Sequence, residues 1–324
     1  MRPVSKTARA HPNIALVKYW GKRNVPLNLP AVPSLSVTLD QFYTETTVTW
    51  GAERDLFYLN NKTVNTDAAQ KVWKFLDLID ANRPCCEVHS NNNFPTAAGL
   101  ASSASAFAAL ALAGSAAAQK QLSKNELSVL ARQGSGSAAR SLWGGWVEWT
   151  TGAREDGSDS HGFQLHSEKH WDICVFVAVV SDKQKPIGST KAMLRSAETS
   201  PMYSAWVQTA DADIEAARIA LQNRELNRLG AVMEHSTQKM FATMMTSQPA
   251  TLYWQPASIA LIHKVRDLRY SGVPCWYTMD AGPNVKVICE RRFEHQVHHA
   301  LWQILEPFGG NLHCLGVGSD AALC

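Results

Sequence analysis

The sequence predicts a two-domain chain that mixes helices with strands. Three observations lead there. Its 324 residues are about the length of two ordinary domains. Strand-like stretches such as residues 42–50 (FYTETTVTW) and helix-like ones such as 67–79, with Val72, Phe75, Leu76 and Ile79 at helical spacing, share the first half. The second half opens on helical patterns and returns to strands, and the basic, turn-rich segment 183–191 (KQKPIGSTK) between the halves places the division at 1–185 and 186–324.

Taken in order, residues 13–19 (NIALVKY) read as a strand, and Gly21, Pro26, Pro30 and Pro33 keep the chain irregular until SLSVTLD resumes alternation. Further strands follow at 42–50, 55–59 and 86–90. An Ala-rich helix follows the stretch from 91, and Ser123 with Glu126 three residues on forms a capping box that starts another, running to 132. Residues 142–149 (LWGGWVEW) are an aromatic strand in which Gly144 and Gly145 suggest a bulge. Residues 151–162 are polar and read as a surface excursion, whereas 171–181 (WDICVFVAVVS) is apolar throughout and implies cover on both faces. Helices are expected at 204–224, 225–244 and 258–271, and Met233, Met240, Met244 and Met245 read as core filler. Strands CWYTMD and VKVICE flank the turn from Asp280 to Asn284. His295 and His299 sit one helical turn apart, but without H-E-x-x-H or a third ligand they predict no metal site. The Gly-rich tail from 309 carries no legible role.

Composition excludes several classes. Hydrophobic residues at 45%, charged residues at 18% and a net charge of +3 describe an ordinary globular surface with no polyanion-binding character, so no nucleic-acid partner is expected. Seven cysteines without a C-x-x-C pair fit reduced thiols and a cytoplasmic setting. The first apolar run is too short for a signal peptide, and the Ala-rich run at 104–118 falls short of a membrane span.

Chemistry is concentrated in residues 91–109 (NNNFPTAAGLASSASAFAA). Pro95, Ala97, Ala98, Gly99, Leu100 and Ala101 lead into a helix that opens with Ser102, Ser103 and Ser105; small residues at a helix start let an anion approach unpaired backbone N–H groups. The spacing is neither that of a P-loop nor of a dinucleotide fingerprint. The same residues would also suit a tight turn into a packed helix. Lys18 and Lys22 flank Tyr19, Trp20 and Gly21 at a strand end, where they either enter a cleft or remain solvated. Asp280 ends a strand beside a tight turn, a place that suits both a cleft carboxylate and an ordinary turn residue.

Together PNIALVKYWGKRN, PSLSVTLD, NNFPTAAGLASSAS, QGSGSAARSLWGG and TMDAGPNVKV resemble the diphosphomevalonate decarboxylase family, within the superfamily of galactokinase, homoserine kinase, mevalonate kinase and phosphomevalonate kinase. The resemblance runs from Pro12 to Val287 in the family's order. It implies an α+β fold of two domains, ribosomal-protein-S5-like then ferredoxin-like, with the active site between them, and a homodimer. It implies an enzyme that uses ATP and Mg2+ to phosphorylate the 3-hydroxyl of mevalonate 5-diphosphate, after which phosphate and carbon dioxide leave to give isopentenyl diphosphate. By the same resemblance the 95–105 loop holds ATP phosphates, Asp280 orients or deprotonates the hydroxyl, Arg140 holds the substrate carboxylate and Lys18 lies near the reacting centre. Substrate contacts carry over to Tyr19, Trp20, Gly21, Lys22, Ser135, Gly136, Ser137, Ala138, Ala139, Ser189 and Thr190. Where eukaryotic relatives have an arginine that contacts the diphosphate, this chain has Gln70 followed by Lys71, and Lys71 either carries the compensating charge or is a solvated residue of an amphipathic helix. Thr190 and Phe241 replace an arginine and a histidine of some bacterial relatives. A kinase that stops at the 3-phosphate or prefers a less phosphorylated mevalonate, and a nucleotide-holding paralogue without turnover, are the alternative readings; retention of Lys18, Arg140 and Asp280 argues against a stalled enzyme, and retention of Asp280 and of the Ser102 and Ser103 loop against the paralogue.

Overall fold

The computed structural model describes residues 3–94, 102–183 and 185–324. Three sheets organise it. The first runs in the order Ala322–Leu323, Val4–Ala10, Thr44–Trp50, Cys86–Asn92, Leu56–Leu59, Lys62–Thr63, antiparallel except where Leu56–Leu59 meets Cys86–Asn92. Thr44–Trp50 alternates buried and part-buried residues along its length, as a strand with one covered face must. The cover is α1 (Asp67–Ile79), α2 (Ser102–Ala117) and α3 (Lys124–Gly134). Val72, Phe75, Leu76 and Ile79 of α1 are buried as their spacing predicts. The alanines of α2 allow it to lie close on the sheet, and the capping box at Ser123 forms: its hydroxyl accepts from Glu126 N while Glu126 Oε2 accepts from Ser123 N at 2.7 Å.

A second, antiparallel sheet runs Gly162–His166, Trp146–Trp149, Ser34–Thr38, Asn13–Val17. The irregularity expected beside Gly144 and Gly145 appears as a register shift between Trp146 and Val147. The excursion at 151–162 is less free than its polarity suggests, because Arg132 donates to Gly157 O at 2.7 Å and Ser160 is fully buried.

The third sheet runs Cys275–Met279, Val285–Glu290, Ile173–Val179, Asn311–Leu315. Ile173–Val179 is an inner strand of it, although it precedes the 185/186 division expected from the sequence. The helices that follow are α4 (Ser189–Thr199), α5 (Tyr203–Gln208), α6 (Ala210–Gln222), α7 (Leu226–Met245), α8 (Pro256–Tyr270) and α9 (Glu294–Leu305). The helix expected at 204–224 is broken at Thr209, and α4 begins at Ser189, within the last three residues of the basic segment 183–191. All seven residues of Ile173–Val179 are buried because both faces are covered. Val175 and Val177 pack with Ile214 and Leu221 of α6 and Met233 of α7, while Cys174, Phe176 and Ala178 pack with Leu261 of α8 and Leu301 of α9. Met233, Met240 and Met244 are buried; Met245 is exposed. His295 and His299 are exposed on α9.

The two halves share a core. Ile14, Leu16, Val37 and Trp146 of the second sheet join Ile214, Leu221, Leu229 and Met233 in one cluster. The Gly-rich tail then closes the molecule: Gly145 N donates to Gly318 O at 2.8 Å, Gly144 N to Asp320 Oδ1 at 2.7 Å, and Leu323 pairs with Ala8 in the first sheet.

Candidate functional site

A cleft of about 720 Å³ opens where the second sheet, the start of α2, the start of α4 and the 280–286 turn converge. Its floor is a three-residue ion cluster. Lys18, one residue beyond Asn13–Val17, is 1% exposed; its Nζ donates to Ala15 O at 2.7 Å and to Asp280 Oδ1 at 2.8 Å. Lys286 Nζ reaches Asp280 Oδ2 at 3.1 Å. Burial alone would raise the pKa of Asp280, but the two ammonium groups overcome it and hold the carboxyl well below its usual range. Burial pushes Lys18 the other way, down to about 8, against the attraction of Asp280.

Arg140 ends a 3-10 turn, Gly136–Arg140, and is 2% exposed. Its Nε and Nη2 donate to Asn13 Oδ1 at 3.2 and 3.1 Å, and Nη1 donates to Ser34 Oγ. Asn13 is itself fixed, donating to Ser137 O and Ser141 Oγ. None of the ion pairs among the described residues involves Arg140, so a buried guanidinium is held in place by neutral acceptors. Burial lowers its pKa to about 10, still a cation at neutral pH. Gly136 is required at the start of the turn, since an added Cβ would lie 2.7 Å from the Tyr19 hydroxyl. That hydroxyl is buried and has no hydrogen-bond partner among the described residues.

Around this floor stand Lys22, Lys71, Lys185 and Lys191. Lys22 donates to Asn28 Oδ1, and Asn28 is anchored on Arg132 O and Gln133 O. Burial, followed by the charge of Lys71, lowers the pKa of Lys22. Lys185 Nζ donates to Ser189 Oγ at 2.9 Å and Ala281 O at 2.7 Å; burial lowers its pKa, opposed by Asp280. Gly188, Ser189 and Thr190 form the N-terminus of α4, whose free N–H groups favour an anion. Ser135 links to Ser103 at 3.2 Å and to Ser137 at 3.3 Å, which joins α2 to the 3-10 turn. Seven cations, Lys18, Lys22, Lys71, Arg140, Lys185, Lys191 and Lys286, thus line the cleft with one carboxylate, Asp280.

The structure brings together Lys18, Tyr19, Trp20, Lys22, Lys71, Ser102, Ser103, Ser135, Gly136, Ser137, Arg140, Ser189, Thr190 and Asp280. Four expected contacts do not line the cleft. Ser105 is fully buried and bonded to Thr44 Oγ1 at 2.6 Å, because it falls on the face of α2 that meets the sheet. Ala138 and Ala139 are wholly buried within the 3-10 turn, and Tyr203 covers Gly21. Pro95, Ala97, Ala98, Gly99, Leu100 and Ala101 lie outside the described residues. Lys286, Lys185, Asn13 and Asn28 went unread in the sequence. Lys286 had a signal: a lysine between Val285 and Val287 in an apolar strand needs a buried partner, and Asp280 lies just across the turn. Asn13 and Asn28 offered none.

The chain matches two family models, the diphosphomevalonate decarboxylase-like N-terminal domain over residues 10–162 and the mevalonate 5-diphosphate decarboxylase C-terminal domain over 175–314. It is 36% identical to the diphosphomevalonate decarboxylase of Ganoderma lucidum over 308 residues, 87% of this chain and 77% of that protein. The crystal structure of mevalonate diphosphate decarboxylase from Staphylococcus aureus superposes with a TM-score of 0.94 at 38% identity, covering 99% of this chain and 98% of that one. A structure described as MDDEF in complex with MVAPP, AMPPCP and magnesium gives 0.93 at 38% identity over 99% of both chains. With both halves matched in order and nearly the full length aligned, the chain belongs to the diphosphomevalonate decarboxylase family.

Proposed function

We propose that this cleft carries out the ATP-dependent decarboxylation of mevalonate 5-diphosphate to isopentenyl diphosphate, with ADP, phosphate and carbon dioxide as co-products. One observation carries the reading: seven cations surround a single carboxylate in one cleft. A diphosphate, a triphosphate and a carboxylate bound together need that excess of positive charge, and neutral substrates would not. Ser102 and Ser103 with the α4 N-terminus suit the phosphates, and Lys22 and Lys71 suit the substrate diphosphate at the cleft rim.

Asp280, kept anionic by Lys18 and Lys286, orients the 3-hydroxyl as a hydrogen-bond acceptor and receives its proton as phosphoryl transfer proceeds. Arg140 presents a fork fixed by Asn13 and Ser34 and holds the substrate carboxylate until it departs. The Tyr19 hydroxyl has capacity for a substrate hydrogen bond. Hard oxygen donors suit Mg2+, and the Ser102 and Ser103 hydroxyls that line the cleft would supply them; Asp280, with an oxygen on each lysine, is already engaged. When bound with the nucleotide, magnesium screens the phosphate charge.

The second half supports the ferredoxin-like reading: taking its strands in chain order, they lie 2-3-1-4 in the sheet with helices after the first and third. The S5-like reading of the first half, the homodimer and the cytoplasmic setting rest on the family resemblance. No helix among the described residues is long and apolar enough to cross a membrane. Incubation with ATP, Mg2+ and mevalonate 5-diphosphate tests the function by release of phosphate, carbon dioxide and the five-carbon alkene. Accumulation of a 3-phosphate without carbon dioxide would identify a kinase instead.

A further inference from the structure

The third sheet carries four cysteines on one face. Cys275 lies opposite Cys289, Cys289 opposite Cys174, and Cys314 opposite Phe176, which is two residues along from Cys174. Directly opposed residues share a face, as do residues two apart, so the four thiols cross the sheet beneath α9. All are free thiols. Glu294, the first residue of α9, sits over one end of this row. The Cys174 thiol donates to Glu294 Oε2 at 3.5 Å and the Cys314 thiol to Oε1 at 3.4 Å. Arg291 fixes the carboxylate from outside, with Nη1 at 3.2 Å from Glu294 Oε2 and Nε at 3.1 Å from Asp172 Oδ1. The three donor atoms lie within 4.8 Å of one another; Cys174 is buried and the other two residues are half-buried.

We propose that Cys174, Cys314 and Glu294 bind a thiophilic divalent cation, zinc being the ion whose geometry fits. Tetrahedral zinc, with bonds of about 2.3 Å to sulfur and 2.0–2.2 Å to oxygen, separates its donors by about 3.6–3.8 Å, close to the contacts already present. Binding releases two protons: the two thiols become thiolates, and with the carboxylate they carry three negative charges against the ion's two positive ones. Arg291 offsets the remainder. The fourth position faces solvent and takes water, since Cys314 and Glu294 are partly exposed. Thiolates disfavour hard ions, so magnesium does not compete here, and none of the three residues lines the cleft. The bound ion ties Ile173–Val179 and Asn311–Leu315 to the start of α9. No sequence motif announces the site, because residues 174, 294 and 314 come from three separate elements.

Full-length protein, reduced and freed of metal with chelator, is titrated with Co2+ as the optical probe. The expected result is one Co2+ per chain with thiolate-to-metal charge-transfer absorption, displaced by Zn2+ and untouched by excess Mg2+. Cys314→Ser and Glu294→Gln each weaken binding roughly tenfold or more, whereas Cys85→Ser, at an exposed thiol outside the cluster, leaves it unchanged. In the unmutated protein, Zn2+ slows alkylation of Cys314 but not of Cys85, a readout independent of how the variants fold. Absence of the thiolate band, a band of unchanged affinity in Cys314→Ser, or alkylation of Cys314 indifferent to zinc would each overturn the proposal.

Discussion

Asp280 is the residue on which the cleft turns, and its setting defines what it does. A carboxylate with an ammonium at 2.8 Å on one oxygen and another at 3.1 Å on the second is a fixed acceptor first and a weak base second. Asp280→Asn is expected to lower turnover at least ~100-fold, because the amide neither accepts the proton nor balances the lysines, while nucleotide affinity measured by titration changes little. Equal turnover would remove Asp280 from the reaction. Arg140→Lys is expected to raise KM for mevalonate 5-diphosphate and lower turnover, since lysine cannot span both Asn13 and Ser34 while facing a carboxylate; unchanged kinetics would show that the fork is not used. Lys18 supplies a pH signature. Its folded pKa of about 8 lies below the ordinary 10.5, so above pH 8 the free enzyme loses this positive charge. kcat/KM should therefore fall through an alkaline limb near pH 8, whereas in kcat the limb moves higher because bound anions hold the proton on Lys18. Stability takes the opposite sign: between about pH 8 and 10.5 the unfolded chain binds the extra proton, so this lysine's burial penalty is relieved as pH rises. A flat kcat/KM profile to pH 9.5 would contradict the assignment.

At the scale of elements, α1 decides whether the diphosphate has an outer contact. Its buried stripe of Val72, Phe75, Leu76 and Ile79 fixes the helix on the first sheet and leaves Gln70 and Lys71 exposed; only Lys71 lines the cleft. Lys71→Ala is expected to raise KM for mevalonate 5-diphosphate about ten- to a hundredfold, the loss of one charge-assisted contact of about 1.5–3 kcal/mol, with kcat and KM for ATP unchanged. A contact remote from the reacting carbon would be made equally in ground and transition states, so turnover is expected to be spared. Unchanged KM for both substrates would leave the diphosphate to Lys22 and the serines.

At the scale of the molecule, the cleft depends on two halves held at one angle. Besides the shared apolar cluster and the Lys18–Asp280 pair in the cleft, a further ion pair spans them: Arg218 of α6 grips Glu148 of Trp146–Trp149, its Nε 2.7 Å from Oε2, and Glu148 is 1% exposed. Arg218→Ala leaves a buried carboxylate unpaired, at a cost of about 3 kcal/mol, the low end for a buried pair because Arg218 itself is partly solvated. Calorimetry should show a lower midpoint with one transition retained, since the continuous core makes the halves unfold together. Two separated transitions in the unmutated protein would show that the halves are independent.

Much of this was written along the chain. The amphipathic spacing of α1, the capping box at Ser123 and the apolar run at 173–179 act locally or through a simple period, so sequence alone determined them. The order of five motifs was equally plain, and it identified Lys18, Arg140 and Asp280 as candidates. What neighbours do to one another was not legible. Only the fold turns Asn13 into the clamp on Arg140, sets Lys286 against Asp280, faces Ser105 into the core and moves Ile173–Val179 into the second half's sheet. The tail shows the difference most clearly. Its glycines carry no periodicity, and its part in closing two sheets exists only because residues more than a hundred positions away, at Thr38, Gly144 and Gly145, offer hydrogen bonds where it passes. Local periodicity is a property of adjacent residues, whereas charge balance, hydrogen-bond partners and strand order belong to residues that meet only when the chain is folded.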